Sequence, residues 1–316
     1  MNTRRQFISQ SALLAASALF LSSRVSAAEA APVPHVKFPA DLRARLAVAS
    51  YPFRDFILPA AYTSPSAASG TKMELTEFAA HVKSRFLLDK IEPWSSHFRS
   101  LDPRYLEGFR AALDRGGSSV VNIAFDGEHS FYAADPEERK LAIANNKQWI
   151  DAAAVLGSPS IRTHVATSGN EPPHLDRAAD TLTQVAEYGA ARNVVVHLEN
   201  DDGVSEDPVF LVKLMDRVNS PWLRALPDFG NSLMHKPPED AYSGFEAMCG
   251  KAYGICHVKQ SESTEKGANI QVDLAYAFGI LKKTRYRGYL SMEYDNSGDP
   301  YKGTDELIAK SLESLA

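Results

Sequence analysis

Val194-Val195-Val196-His197-Leu198-Glu199-Asn200 is a short β-branched apolar run that ends abruptly on polar residues. It is too short for a helix and apolar on both faces, as expected of a strand buried in a parallel sheet. Seven further runs of this kind lie at residues 46–53, 90–94, 119–125, 160–165, 223–228, 254–259 and 289–293. Segments of helical length and period separate them. Asp135-Pro136-Glu137-Glu138 and Asp207-Pro208 mark two helix starts, each with a capping aspartate and proline at the first helical position. Gly157 and Asn193 mark helix ends. Between these signals Leu141, Ala144, Gln148, Ile150, Ala154 and Val155 read as the inward face of the helix that follows the third run. Strand and helix alternating eight times imply parallel strands with helices outside. An open doubly wound sheet is the rival, but Ala49-Ser50-Tyr51-Pro52-Phe53 supplies no glycine-rich phosphate loop after the first strand. The sequence therefore predicts an α/β chain with a single (β/α)8 barrel over residues 45–316.

Ahead of the barrel, residues 1–30 read as an export signal and its cleavage region, and residues 31–44 as an N-terminal linker. Arg4-Arg5 precede an apolar stretch of about 14 residues and then Val25-Ser26-Ala27-Ala28, the order of a twin-arginine signal. The apolar stretch is too short to span a bilayer, which needs ~20 residues. The expected mature protein is periplasmic and has no membrane association. Cleavage after Ala27 removes three arginines and no acidic residue. The balance moves from −5 to 31 basic against 39 acidic residues, or −8. An acidic protein lacks the basic footprint that nucleic acid requires. Of the two cysteines, Cys256 lies inside an apolar run, so buried free thiols are expected rather than a bridge or a cysteine metal site.

Enzymes on this architecture carry their chemistry at the C-terminal ends of the strands. The fifth to eighth runs end on Glu199, Asp228, His257 and Glu293, one metal-competent side chain per neighbouring strand. Three carboxylates converging in a dry barrel mouth repel one another, and a divalent cation removes the conflict. One imidazole with three carboxylates suits one Mn²⁺, and Co²⁺, Mg²⁺ or Zn²⁺ is compatible with the same set.

The chain resembles the xylose-isomerase-like TIM barrels, the sugar phosphate isomerase/epimerase group related to endonuclease IV. The segments that carry the resemblance are Ala154-Val155-Leu156-Gly157-Ser158 with Ile161-Arg162, Val196-His197-Leu198-Glu199-Asn200, Pro227-Asp228-Phe229-Gly230-Asn231, His257-Val258-Lys259 and Tyr289-Leu290-Ser291-Met292-Glu293. The resemblance implies that Glu199, Asp228, His257 and Glu293 hold the metal. It also implies that Glu199 and Glu293 act as acid and base across the substrate. Sugar epimerases of the group usually place a histidine three residues after the aspartate, and here that position is Asn231.

Other polar residues are expected at the mouth: Arg54, Glu92, Trp94, Asp126, Arg162, His164 and Lys259. Arg162 and Lys259 are candidates to hold a substrate oxygen, with Asn231 beside them. His164 is a candidate proton shuttle. Trp94 reads equally as core packing and as a stacking platform for a sugar. His97 and His129 read as solvent-facing loop histidines. The expected reaction is proton abstraction next to a carbonyl of a non-phosphorylated sugar or keto-sugar, giving an isomer or epimer. The alternative is β-elimination from a 3-keto-glycoside. An endonuclease IV-like nuclease conflicts with the acidic balance. A non-catalytic sugar-binding subunit conflicts with the intact ligand set. A homo-oligomer is compatible with the sequence.

Overall fold

A computed structural model describes residues 33–58, 72–201, 203–263 and 269–316. The expected export signal lies outside these residues. Eight strand positions form the barrel: β1 Leu46–Ala49, β2 Lys90–Glu92, β3 in two pieces at Ser119–Val120 and Ile123–Ala124, β4 Ser160–Thr163, β5 Val195–Glu199, β6 Leu223–Leu226, β7 Ile255–Val258 and β8 Tyr289–Met292. Every neighbouring pair is parallel. β1 pairs with β8 and with β2, and the first piece of β3 joins β2. The second piece joins β4, which leads through β5 to β6. β7 pairs with β8. The bridges Ala225↔Ala252 and Asp228↔His257 connect β6 to β7 and close the ring. The closed (β/α)8 architecture is as expected.

Eight helices surround the ring: α1 Leu75–Phe86, α2 Pro103–Gly116, α3 Pro136–Leu156, α4 Leu175–Ala190, α5 Pro208–Val218, α6 Pro238–Cys249, α7 Leu274–Lys283 and α8 Pro300–Leu315. Among the described residues no helix is long and apolar enough to cross a membrane. The two expected N-caps form. Asp135 Oδ1 accepts from the Glu137 amide at 2.9 Å, and Asp207 Oδ1 accepts from the Val209 amide at 3.2 Å. Glu138 does not turn back to its cap; it reaches His129 Nδ1 at 3.0 Å and the Ser130 amide at 3.3 Å. Gly157 ends α3 at φ 71°, where a side chain would be strained. Cys249 and Cys256 are both buried and free.

The expected inward face of α3 is wrong by about one residue in phase. Ala142, Asn146, Ile150, Ala153 and Leu156 are buried, whereas Leu141 and Val155 are 47% and 41% exposed. The stripe was read from apolar residues alone. Asn146 takes an inward position with its Nδ2 donating to the Ala142 carbonyl at 2.9 Å within its own helix, while its Oδ1 is buried with no hydrogen-bond partner.

The N-terminal end of the barrel is closed by the chain itself. Phe38 packs edge-on against Tyr253 and Tyr289, with ring centroids 5.5 and 5.4 Å apart. It sits against a separate apolar cluster of Ala47, Val121, Leu226, Ile255 and Tyr289. The Tyr253 hydroxyl donates to the Pro34 carbonyl at 3.2 Å, and the His35 amide donates to Asn193 Oδ1 at 3.2 Å. Phe38→Ala should destabilise the protein by about 2–3 kcal/mol, below the full cost of a core phenylalanine because the ring is only half-buried. Denaturant unfolding would measure the loss; a variant as stable as the parent would show that the strap adds nothing.

Candidate metal centre and active site

Strand ends β5 to β8 bring the four expected ligands together. Glu199 is the last residue of β5, Glu293 follows β8 directly, and Asp228 follows β6 after Pro227. His257 lies in β7. Glu199, Asp228, His257 and Glu293 are all buried, and one ligand atom from each lies within 4.8 Å of the others. Two ligands opposite each other on an ion bound at about 2.1 Å are roughly 4.2 Å apart, so this set needs little contraction to share one cation. His257 Nδ1 is the centre of the group. It is 2.6 Å from Glu199 Oε1, 3.1 Å from Glu293 Oε2 and 4.0 Å from Asp228 Oδ2.

Asp228 is fixed by its neighbours before any ion enters. Its Oδ1 accepts from the Gly230 and Asn231 amides at 2.8 and 2.7 Å. Its own amide donates to Asn200 Oδ1 at 2.8 Å, and Asn200 Nδ2 returns a hydrogen bond to the Asp228 carbonyl at 3.2 Å. The second carboxylate oxygen, Oδ2, is buried and accepts no hydrogen bond. A buried acceptor left open in this way fits a metal ligand.

The electrostatics agree. Burial raises Asp228 to about 8, against the pull of Lys259 and with the help of Glu199 and Glu293. Burial also raises Glu199, although Arg162 and His257 oppose it. Burial disfavours the His257 imidazolium, but Glu199, Glu293 and Glu92 together raise it well above its ordinary value. Without an ion, protons and nearby cations offset the crowded carboxylates. A divalent cation held by Glu199, Asp228, His257 and Glu293 would do the same work and would displace such protons.

Above the ligands is a cavity of about 320 Å³ whose wall includes Trp94, Arg162, His164, Asn231, Lys259 and Glu293. Trp94, Arg162, His164, Asn231, Lys259 and Glu293 thus share one cavity, whereas Glu199, expected to act with Glu293, does not line it. That volume is at the small end for ligand sites and suits a compact polar molecule. Arg162 is 2.6 Å from Glu199 Oε2, 2.5 Å from Asp126 Oδ1 and 3.8 Å from Asp201 Oδ2. Asp126 also receives the Trp94 indole N–H, so one carboxylate fixes both the guanidinium and the aromatic wall. Trp94 is 5% exposed, and its edge contact with Tyr51 makes it both a packed residue and part of the cavity wall. Lys259 Nζ donates to Asn231 Oδ1 at 2.7 Å and Glu262 Oε2 at 2.9 Å, and lies 3.2 Å from Glu293 Oε2. His164 is buried in the wall, and its Nδ1 has no hydrogen-bond partner.

Three expectations change. His97 is fully buried, not solvent-facing; its Nδ1 is 2.9 Å from Ser50 Oγ, which also accepts from the Trp94 amide. His129 is part-buried and pairs with Glu138 beside α3. Glu92 is not on the rim. It is fully buried beneath the ligands, with Oε2 and Oε1 at 2.9 and 3.0 Å from His257 Nε2. Asn122 Nδ2 donates to Glu92 at 2.7 Å, and the Ser160 hydroxyl donates to Asn122 Oδ1 at 2.7 Å. Tyr51, Glu262 and Asp295 also line the cavity and were not singled out from sequence. Tyr51 lies inside the first apolar run, two residues past the end of β1, and Glu262 carries no local signal.

Asp228→Asn keeps the Oδ1 contacts and replaces only the open Oδ2. It should leave the fold intact and weaken Mn²⁺ binding, measured by calorimetry, more than the roughly 10–100-fold that loss of a supporting group costs. Unchanged affinity would remove Asp228 from the ligand set. Burial lowers His97 to about 4, from 6.5 in the unfolded chain. The unfolded state then binds the extra proton, so this contribution is complete above pH 6.5 and is lost as pH falls through 4. It amounts to about 3 kcal/mol. Unfolding free energies between pH 7 and 4 should fall less steeply in His97→Leu; parallel curves would refute the assignment.

The family model for xylose isomerase-like TIM barrels matches residues 88–316. No curated protein matches the chain. Several solved structures share the fold at low identity. A xylose isomerase domain protein from Planctomyces limnophilus is 19% identical, with TM-score 0.61, over 86% of this chain and 95% of that one. An L-ribulose 3-epimerase is 16% identical, with TM-score 0.65, over 85% and 94%. The 3-keto-D-glucoside 4-epimerase of E. coli is 16% identical, with TM-score 0.60, over 78% and 96%. The closed barrel, the clustered ligands at its mouth and the match across residues 88–316 place this chain in the xylose isomerase-like TIM barrel family.

Proposed function

We propose that this protein is a metal-dependent isomerase or epimerase that abstracts a proton next to the carbonyl of a non-phosphorylated sugar or keto-sugar. The observation that carries the reading is that Glu199 and Glu293 both lie against His257 Nδ1, at 2.6 and 3.1 Å, with Glu293 in the wall of the cavity. The divalent ion, for which we propose Mn²⁺, supplies Lewis-acid polarisation of the substrate carbonyl. One glutamate takes the proton from carbon, leaving an enediolate and a carboxylic acid. The other glutamate returns a proton from the opposite face, which gives the epimer; delivery to the neighbouring carbon gives the isomer. Arg162 and Lys259 hold substrate oxygens, Trp94 offers a face to the sugar ring, and Asn231 steadies Lys259. His164 carries protons between cavity and solvent. The sugar epimerases among the solved structures of this fold support a sugar substrate.

An uncharged substrate is favoured by the commitments of the mouth's cations. Arg162 faces Asp126, Glu199 and Asp201, Lys259 faces Glu262 and Glu293, and Arg54 faces Asp295 at 3.4 Å. A phosphate would have to compete with these carboxylates. The proposal places the enzyme in the periplasm after twin-arginine export, where free sugars and keto-sugars are the accessible substrates.

A second reading, β-elimination from a 3-keto-glycoside, is favoured by Lys259. Its ammonium stands 3.2 Å from Glu293 and is held by Asn231, where the family's sugar epimerases usually carry histidine. The proton leaves carbon to a glutamate as before, and Lys259 protonates the departing glycosidic oxygen. Incubation with free ketoses and with 3-keto-glucosides in heavy water separates the readings. Deuterium in a recovered isomer is expected from the first, and release of the aglycone from the second. Neither outcome with the Mn²⁺-loaded enzyme would defeat both. Glu293→Gln should lower kcat by at least ~1,000-fold with the fold retained, since general acid–base catalysis supplies ~10²–10⁴; retained turnover would remove Glu293 from the chemistry.

A further inference from the structure

The two ring nitrogens of His257 face different groups. Nδ1 faces Glu199, Asp228 and Glu293, the other three members of the ligand set. Nε2 faces both oxygens of Glu92, at 2.9 and 3.0 Å, on the opposite side of the ring. Neither Glu92 nor His257 is exposed to solvent. A ligating nitrogen must present its lone pair to the ion, so a neutral imidazole that ligates through Nδ1 carries its proton on Nε2. An acceptor at Nε2 selects that tautomer and fixes the ring's rotation. Glu92 is itself fixed, by Asn122 Nδ2 at 2.7 Å, and Asn122 is fixed by the Ser160 hydroxyl at 2.7 Å. Strands β2, β3 and β4 thus build a polar brace behind a ligand supplied by β7.

We propose that Glu92 is a positioning residue that accepts the Nε2 proton of His257 and so presents Nδ1 to the divalent ion. The inference rests on the metal-centre reading above. It goes beyond that reading because Glu92 belongs neither to the four-residue ligand group nor to the cavity wall; it acts through His257. Glutamate suits the task because both of its neighbours, His257 Nε2–H and Asn122 Nδ2–H, are donors, and a carboxylate only accepts.

The test is calorimetric titration of metal-stripped protein with Mn²⁺, for the full chain and its Glu92→Leu and Glu92→Gln variants. Glu92→Leu removes the acceptor and should weaken binding by ~10–100-fold. Glu92→Gln keeps one oxygen that can accept from both donors and should stay near the parent affinity. Parent-like affinity in Glu92→Leu overturns the proposal, as does equal loss in both variants, which would point to charge rather than orientation. If the parent binds no Mn²⁺, the metal-centre reading itself fails, which separates the two outcomes. Should Glu92→Leu not fold, ¹⁵N chemical shifts of His257 in the Zn²⁺-loaded parent decide the matter. A protonated Nε2 with a ligated Nδ1 is expected; ligation through Nε2 would overturn the assignment.

Discussion

Like charges forced together in a dry place govern this molecule. Glu199, Asp228 and Glu293 are each less than a tenth exposed, and all three converge on one imidazole. Water cannot screen them, so the fold must supply positive charge from elsewhere. It does so from three sides, with His257 among the carboxylates, Lys259 beside Glu293 and Arg162 beside Glu199. These cations still leave room for an ion among the four side chains. Asp228 is still driven up to about 8 by burial, against the pull of Lys259, and a divalent cation at Oδ2 would oppose that rise. The strain is local and the restraints are backbone ones. Asp228 is held by two amides and by Asn200 on the neighbouring strand end, so the carboxylate cannot swing away from its neighbours. Pre-organisation of this kind lets a site bind an ion without paying to rearrange.

The barrel interior is divided accordingly. Its lower end is apolar, with Ala47, Val121, Leu226, Ile255 and Tyr289 gathered around Phe38. Above that lies a polar layer in which Ser160, Asn122, Glu92 and His257 form one hydrogen-bonded chain. Barrel cores are usually filled by branched aliphatic residues. The departure here lies on β2 to β4, behind His257 of β7, where a purely aliphatic layer would leave His257 with no partner for its second nitrogen. A buried polar network of this sort is stable only when its members are satisfied.

The sequence carried the alternation of strands and helices, the closed barrel and the convergence of Glu199, Asp228, His257 and Glu293 at neighbouring strand ends, because these depend on local signals. A β-branched run ending in Glu, Asp or His is readable without knowing what lies across the barrel. What it did not carry depends on partners distant in the chain. Glu92 looks like a rim carboxylate at the end of its run, but its partner His257 is 165 residues away. His97 sits in Ser95-Ser96-His97-Phe98, which reads as a solvent loop, and only Ser50, 47 residues earlier, shows why the ring is buried. The face of α3 was misplaced for a related reason, since a helix rich in alanine has a weak apolar stripe and a buried asparagine counts against the true one.

The plug at the foot of the barrel has a bearing on proton traffic. With Phe38 and the apolar cluster closing that end, the ligand carboxylates have no direct route to water from below. Among the described residues, exchange with bulk water is then left to the opposite end, through the cavity walled by Trp94, Arg162, His164 and Lys259. Whatever fills that cavity also seals the carboxylates from the medium.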